Sequence, residues 1–257
     1  MKSYKAYLID LDGTTYFGTE RIPTAEAFIR QLVQKEIPFL FVTNNATKTP
    51  EQVAEVLQQT YELPVTAEHV YTSALAMVDY LQAHFEGKEV FVVGEAPLRE
   101  QIAAAGFTLN QTETADVVVQ ALNRHTTYEE LAQATLAIRN GAAFLVTNID
   151  SNIPTEWGMM PSSGALTAFL KYATQTEPIV MGKPYQPIVE GSLERLGLSV
   201  DDVLMIGDNY ETDIKVGINA GMDTLLVLTG FTTREDLANV TVQPTYVCEN
   251  LSQWTLD

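Results

Sequence analysis

The sequence predicts an α/β fold in which a Rossmann-like core with a parallel sheet carries a smaller, inserted α/β domain. Short apolar runs alternate with longer helical stretches, which is typical of a parallel sheet covered by helices. The chain of 257 residues is long enough for one large domain or two smaller ones. Its composition, 46% apolar and 19% charged, is that of a soluble globular protein.

Eight apolar runs are the predicted strands, because each is short and rich in strand-forming residues. They span 6–10, 38–44, 89–95, 115–122, 142–148, 178–182, 202–208 and 223–230. Helical candidates lie between them, and several begin with Thr, Ser or Pro and end near Gly, as helix caps do. These candidates span 24–36, 49–61, 97–106, 128–141, 163–175, 186–197 and 211–221.

Residues 86–177 contain their own set of strands and helices and are predicted to form the inserted domain. The core would then consist of residues 1–85 and 178–257. The polar motifs that carry chemistry lie in these two outer segments. The first and last thirds of the chain are therefore expected to build one sheet domain.

The charge of the chain limits its partners. A formal net charge of −18 repels nucleic acid and acidic membrane surfaces, so neither is an expected partner. The N-terminal apolar run is too short for a signal peptide, and no stretch approaches the length of a membrane span, so a cytoplasmic protein is expected. An anionic substrate would need a local cation, which points to a bound metal and a particular Lys or Arg.

Polar side chains follow the predicted core strands, where ligands bind in an open parallel sheet. The candidate site residues are Asp10, Asp12, Thr43, Asn44, Lys183, Asp208 and Asp213. Each motif alone is ordinary turn or cap chemistry. Two carboxylates before a glycine, a hydroxyl, a lysine and further carboxylates together favour one site for phosphoryl transfer.

The carboxylates suit a hard cation. Phosphoryl transfer needs a nucleophile, a cation and hydrogen-bond donors for the phosphate oxygens. Asp10 and Asp208 could supply two oxygen ligands to Mg²⁺, with Asp213 outside them orienting a ligand water. The ammonium of Lys183 would offset the repulsion between Asp10 and an incoming phosphate.

The remaining polar residues are expected to serve the substrate. The Thr43 hydroxyl and the Asn44 amide could donate hydrogen bonds to the phosphate. Asp12 lies past the strand end, where it is free to protonate the leaving alkoxide and then to take a proton from the attacking water. Gly13 allows the sharp turn that follows.

Four segments in this order resemble the four motifs of the haloacid dehalogenase superfamily, in its NagD-like and p-nitrophenylphosphatase-like branch with a type-two (IIA) cap. They are DLDGTTYFG at 10–18, FVTNNATKTP at 41–50, MGKP at 181–184 and IGDNYETDIKVGINAG at 206–221. The resemblance covers essentially the whole chain. It implies a phosphoric monoester hydrolase acting on a small-molecule phosphate ester, such as a sugar phosphate, a nucleotide monophosphate, phosphoglycolate or pyridoxal phosphate.

The resemblance also implies roles for single residues. Asp10 would be the nucleophile and Asp12 the acid and base, while Thr43 and Lys183 would bind the phosphate. Mg²⁺ would be held by Asp10, the backbone carbonyl of Asp12 and Asp208.

The sequence departs from the family pattern in the cap, which in the family faces the leaving group. Many relatives have Gly-Leu-Asp-Arg where residues 121–124 read Ala-Leu-Asn-Arg, and Pro-Gly where 161–163 read Pro-Ser-Ser. The segment 147–150 matches the family's Thr-Asn-x-Asp pattern. The candidate specificity residues are therefore Asn123, Arg124, Asn148 and Asp150.

Two other functions compete with the phosphatase. A dehalogenase would need neither the acid Asp12 nor a magnesium site. A non-hydrolytic phosphate-binding protein or phospho-switch on the same fold would not need both Asp10 and Asp12. The physiological substrate, the extent of cap opening and the existence of a homodimer stay open.

Overall fold

The computed structural model describes residues 2–256 and, for Pro154, only the backbone. It divides into two compact units. The first unit comprises Met1–Thr43, Pro50–Tyr71 and Lys183–Asp257, and the second comprises Asn44–Thr49 and Thr72–Gly182. The predicted inserted domain, 86–177, lies inside the second unit, which also takes in residues on both sides of it. The predicted domain boundaries stay a prediction.

The strands of the described chain are short. In chain order they are β1 Ala6–Ile9, β2 Tyr16–Phe17, β3 Glu20–Arg21, β4 Phe39–Thr43, β5 Val70–Thr72, β6 Glu89–Val93, β7 Thr108–Leu109, β8 Val117–Gln120, β9 Ala143–Val146, β10 Asn152–Thr155, β11 Gly158–Pro161, β12 Ile179–Val180, β13 Val203–Gly207, β14 Asp223–Val227 and β15 Tyr246–Cys248.

The α-helices pack around these strands. They are α1 Pro23–Gln34, α2 Pro50–Tyr61, α3 Ser73–His84, α4 Ala96–Ala104, α5 Tyr128–Arg139, α6 Ser163–Thr174, α7 Pro187–Leu196, α8 Lys215–Ala220 and α9 Arg234–Leu237. A π-helical turn, Tyr210–Ile214, leads directly into α8. Between residues 2 and 256, no helix is both long enough and apolar enough to cross a bilayer.

The first unit is built on a six-stranded sheet with the order β15-β14-β13-β1-β4-β5. The central strand β1 pairs in parallel with β13 and with β4. All four residues of β1 and all five of β4 and of β13 are buried. Burial on both faces explains why these strands appear in the sequence as continuous apolar runs.

The second unit has its own parallel sheet, with the order β12-β9-β8-β6-β7. Its core contains Phe91, Val118, Phe144 and Leu170, all buried. The strand Ile179–Val180 pairs with β9, although the sequence assigned residues from 178 onward to the core domain. Two parallel sheets covered by helices confirm the predicted α/β class.

Helix α7 packs against the first sheet through a glycine. A Cβ atom at Gly191 would lie 1.9 Å from the hydroxyl oxygen of Tyr71, which is fully buried. Replacing Gly191 with alanine should therefore lower the free energy of unfolding by about 1–3 kcal/mol, the usual cost of overpacking a core. Denaturant unfolding measures this loss.

The Tyr71→Phe variant is the control, and adding it to Gly191→Ala should recover part of the loss, since the closest clash is with the hydroxyl. An unchanged midpoint for Gly191→Ala would contradict the packing.

Candidate active site

Three central strands of the first sheet end at polar residues. Asp10 follows β1 directly, Thr43 is the last residue of β4, and Asp208 follows β13. Because β1 lies between β13 and β4 and all three are parallel, their carboxyl ends meet at one edge of the sheet. One carboxylate oxygen from each of Asp10, Asp208 and Asp213 lies within 4.8 Å of the others.

Lys183 is buried among these groups, with its side chain 2% exposed. Its Nζ contacts Asp10 Oδ1, lies 2.8 Å from Asp213 Oδ1, and donates to the carbonyl of Val42 at 2.8 Å. Two carboxylates and a carbonyl thus surround the ammonium, which fixes its position beside Asp10.

Asp213 is a partner of the lysine, a role that the sequence did not indicate. Its Oδ1 pairs with Lys183, and its Oδ2 accepts a hydrogen bond of 3.0 Å from the backbone N–H of Asn209. A Cβ at Gly207 would lie 2.1 Å from the Cβ of Asp213, so the glycine lets the π-helical turn approach β13. The pairing depends on the side-chain directions of two distant segments, so spacing in the sequence gave no signal for it.

Burial and neighbouring charges together shift the pKa values of the site. Burial raises the pKa of the Asp10 carboxyl well above its ordinary value, as does the charge of Asp213, while Lys183 opposes the shift. Burial and Asp213 together raise the pKa of Asp208 to about 6. Burial would lower the pKa of Lys183, but the carboxylates of Asp10 and Asp213 outweigh it and raise this pKa.

The donor set fits a hard divalent cation. Three buried carboxylates share one buried ammonium, so their ionised forms leave an excess of negative charge. A cation bound by carboxylate oxygens would offset that excess, and Mg²⁺ takes oxygen ligands with only one or two carboxylates from the protein. Asp10 and Asp208 are the carboxylates suited to it, because Asp213 is paired with Lys183.

Asp12 differs from the other carboxylates because it is exposed. Its Oδ1 accepts a hydrogen bond of 3.0 Å from the backbone N–H of Gly18, in the β2–β3 hairpin. Gly13, next to it, has φ +96°, and a Cβ there would lie 2.2 Å from Asp208 Oδ2. The turn after β1 therefore requires glycine, and it leaves the Asp12 side chain accessible while Asp10 is buried.

Asn44, Asn148 and Asp150 come together within the second unit. Asn44 Nδ2 donates to Asp150 Oδ1 at 3.0 Å, and Asn148 Nδ2 donates to the Asn44 carbonyl at 2.8 Å. The Asn148 Oδ1 accepts from the backbone N–H of Asp150 at 3.2 Å, and Ser73 Oγ donates to the Asn44 carbonyl at 2.6 Å. Asn148 and Asp150 thus hold the residue that follows Thr43 in the chain.

Asn123 and Arg124 belong to a different cluster of the second unit. Arg124 forms a bidentate ion pair with Glu95, with N–O distances of 2.7 and 2.8 Å. The Arg124 guanidinium lowers the pKa of the Glu95 carboxyl. Asn123 Nδ2 donates to Glu130 Oε2 at 3.0 Å, and its Oδ1 accepts from the backbone N–H of His125. A substrate that used Arg124 would have to share it with Glu95.

Comparison with known proteins places these features in a family. The haloacid dehalogenase-like hydrolase family matches residues 7–108, and a HAD-hydrolase-like family matches residues 180–254. The 5'-nucleotidase YutF of Bacillus subtilis (strain 168) is 46% identical over 254 residues, which cover 99% of this chain and 98% of that protein. The acid sugar phosphatase of Staphylococcus aureus (strain USA300) is 47% identical over 253 residues, covering 98% and 97%.

Solved structures agree with these relatives. NagD from E. coli K-12 superimposes with a TM-score of 0.93 at 28% identity, covering 100% of both chains. The p-nitrophenyl phosphatase from Archaeoglobus fulgidus superimposes with a TM-score of 0.91 at 30% identity, covering 97% of both. The chain therefore belongs to the haloacid dehalogenase-like hydrolases, in their NagD-like branch, and is a phosphoric monoester hydrolase.

Proposed function

We propose that the protein is a Mg²⁺-dependent phosphatase that transfers the phosphoryl group of a small organic phosphate onto Asp10 and then hydrolyses the aspartyl-phosphate. The observation that carries this proposal is the buried Asp10 carboxylate, held by the Lys183 ammonium and close to Asp208. A fixed carboxylate beside a cation is suited to nucleophilic attack on an anionic phosphate.

The first half-reaction forms one bond and breaks one. A carboxylate oxygen of Asp10 attacks phosphorus, and the bond between phosphorus and the leaving oxygen breaks. Asp12, exposed beside the nucleophile, gives its proton to the leaving alkoxide. Lys183 and the hydroxyl of Thr43 stabilise the phosphate oxygens.

The second half-reaction restores the enzyme. Asp12, now ionised, takes a proton from water, whose oxygen attacks phosphorus and displaces the Asp10 carboxylate, which releases inorganic phosphate. Asp10, the Asp12 carbonyl and Asp208 would hold Mg²⁺, which would supply positive charge to offset the negative charge of the phosphate. Asp213 would keep Lys183 in place.

The names of the relatives suggest the substrate class. One is named for nucleotides and another for sugar phosphates, and both match nearly the full length of this chain. We propose that the substrate is a nucleoside monophosphate or a sugar phosphate, and that the second unit, with Asn148 and Asp150, contributes to the choice. Glu95 binds Arg124 and Glu130 binds Asn123, so a substrate that used either residue would have to compete with these partners.

The metal requirement is tested by phosphate release from p-nitrophenyl phosphate, with and without EDTA. Turnover should stop in EDTA and return when Mg²⁺ is added in excess. Turnover that survives full chelation would contradict the metal requirement. A panel of nucleoside monophosphates and sugar phosphates, compared by kcat/KM, then identifies the preferred class.

The acid and base role of Asp12 predicts an effect that depends on the leaving group. The Asp12→Asn variant should lose about 10²–10⁴-fold in kcat on alkyl phosphates, the usual contribution of a general acid or base. The loss should be smaller in the first half-reaction of p-nitrophenyl phosphate, because p-nitrophenolate leaves readily without a proton. Rapid mixing that resolves p-nitrophenol formation measures this step. Glu20→Gln, an exposed carboxylate of the same hairpin, is the control. If the rate of the first half-reaction fell equally for alkyl phosphates and for p-nitrophenyl phosphate, the result would argue against proton donation by Asp12.

A further inference from the structure

The Asp208 carboxylate is held at both of its oxygens. The Thr14 hydroxyl donates to Asp208 Oδ1 at 2.9 Å, and the backbone N–H of Phe231 donates to Oδ2 at 2.7 Å. Thr14 is 1% exposed and Asp208 2% exposed. Two donors on different oxygens fix the plane of the carboxylate, and so fix which of its lone pairs remain for another ligand.

The loop after β14 packs tightly against the same carboxylate. A Cβ at Gly230 would lie 2.1 Å from Asp208 Oδ2 and 2.7 Å from the Cα of Gly13. The Thr229 hydroxyl donates to the Gly13 carbonyl at 2.7 Å. The segments after β1 and β14 thus enclose the Asp208 side chain, and the Thr14 side chain reaches it.

We propose that Thr14 is a positioning residue, whose hydroxyl orients the Asp208 carboxylate so that its oxygens and those of Asp10 converge on one divalent cation. This inference rests on the proposed function, because it requires Asp208 to be a Mg²⁺ ligand. A hydroxyl suits the task, because it is a neutral donor that directs the carboxylate and leaves its negative charge available to the cation. A lysine ammonium in the same place would cancel that charge. The β-branched side chain of threonine also restricts χ1, so the donor has few alternative positions.

A purely structural role for Thr14 makes a different prediction. If the hydroxyl only satisfies a buried acceptor, its loss should lower stability and leave the affinity for metal unchanged. If it positions Asp208, its loss should weaken metal binding, because outer donors of this kind typically change metal affinity by 10–100-fold.

The test is titration calorimetry of the metal-free protein with Mg²⁺. Thr14→Val should raise the Kd for Mg²⁺ by about 10–100-fold, and Thr14→Ser, which keeps the donor, should stay close to wild type. Saturating Mg²⁺ should recover most of the kcat lost by Thr14→Val. Thr232→Val is the matched control, because its buried hydroxyl binds the backbone N–H of Tyr210 instead of a carboxylate. This control should keep the wild-type Kd.

The outcomes separate the inference from the proposed function. A wild-type Kd for folded Thr14→Val, or a Thr14→Ser variant as weak as Thr14→Val, would overturn the positioning role alone. No Mg²⁺ binding by the wild-type protein would overturn the metal site of the proposed function, and the inference with it. Thr14→Ala, which introduces no new bulk, provides the same comparison if Thr14→Val does not fold.

Discussion

Replacing Asp10 with asparagine should lower turnover by at least about 10⁴-fold, because an amide oxygen cannot form the covalent intermediate on which the proposed mechanism depends. The substitution keeps the size of the side chain, so the fold should survive. Steady-state hydrolysis of p-nitrophenyl phosphate at saturating Mg²⁺ measures the loss, and circular dichroism checks the fold.

The matched control for this variant is Asp12→Asn, which removes a carboxyl group two residues away. Asp12→Asn should still release p-nitrophenol from the first half-reaction, whereas Asp10→Asn should release none above background. Appreciable multiple-turnover activity in folded Asp10→Asn would exclude Asp10 as the nucleophile.

Replacing Lys183 with methionine should have a double effect. Its ammonium is the buried partner of two carboxylates, Asp10 and Asp213. Removing one partner of a buried ion pair leaves uncompensated charge and typically costs about 3–5 kcal/mol of stability. Turnover should also fall sharply, because the phosphate would then approach Asp10 without a cation to offset the repulsion. Urea unfolding and the phosphatase assay measure the two effects.

A second substitution separates these effects. Adding Asp213→Asn to Lys183→Met removes one of the two orphaned carboxylates, and should recover much of the lost stability without restoring turnover. Asp213→Asn alone is the control for the loss of the Asp213 charge. If the double variant is no more stable than Lys183→Met, the stability lost in Lys183→Met does not come from the unpaired carboxylates. A double variant with near wild-type activity would show that Lys183 is not needed at the phosphate.

The sequence predicted the buried strands of four or five residues well and the shorter ones poorly. The strands β1, β4 and β13 are buried along their whole length, so they appear as uninterrupted apolar runs. The strand Val70–Thr72 was not predicted, because three residues at the edge of a sheet carry too little pattern. The hairpin strands of two to four residues were also missed, because segments this short show too little alternation of apolar and polar residues.

The candidate site shows a similar division. The sequence predicted that residues after β1, β4 and β13 would meet, because parallel strands bring their carboxyl ends to one edge. It did not predict that Asp213 pairs with Lys183 or that Thr14 binds Asp208. Those contacts depend on the directions of single buried side chains from distant segments, and neither composition nor spacing contains that information.

The most direct test of the proposed mechanism is chemical trapping of the phosphorylated enzyme during turnover. Rapid quenching of the wild-type protein with Mg²⁺ and p-nitrophenyl phosphate, followed by borohydride reduction, converts an aspartyl-phosphate to homoserine, which peptide mass spectrometry can locate. The proposed mechanism predicts homoserine at position 10, dependent on substrate and absent in EDTA. Homoserine at position 12 or 208 instead of position 10 would contradict it.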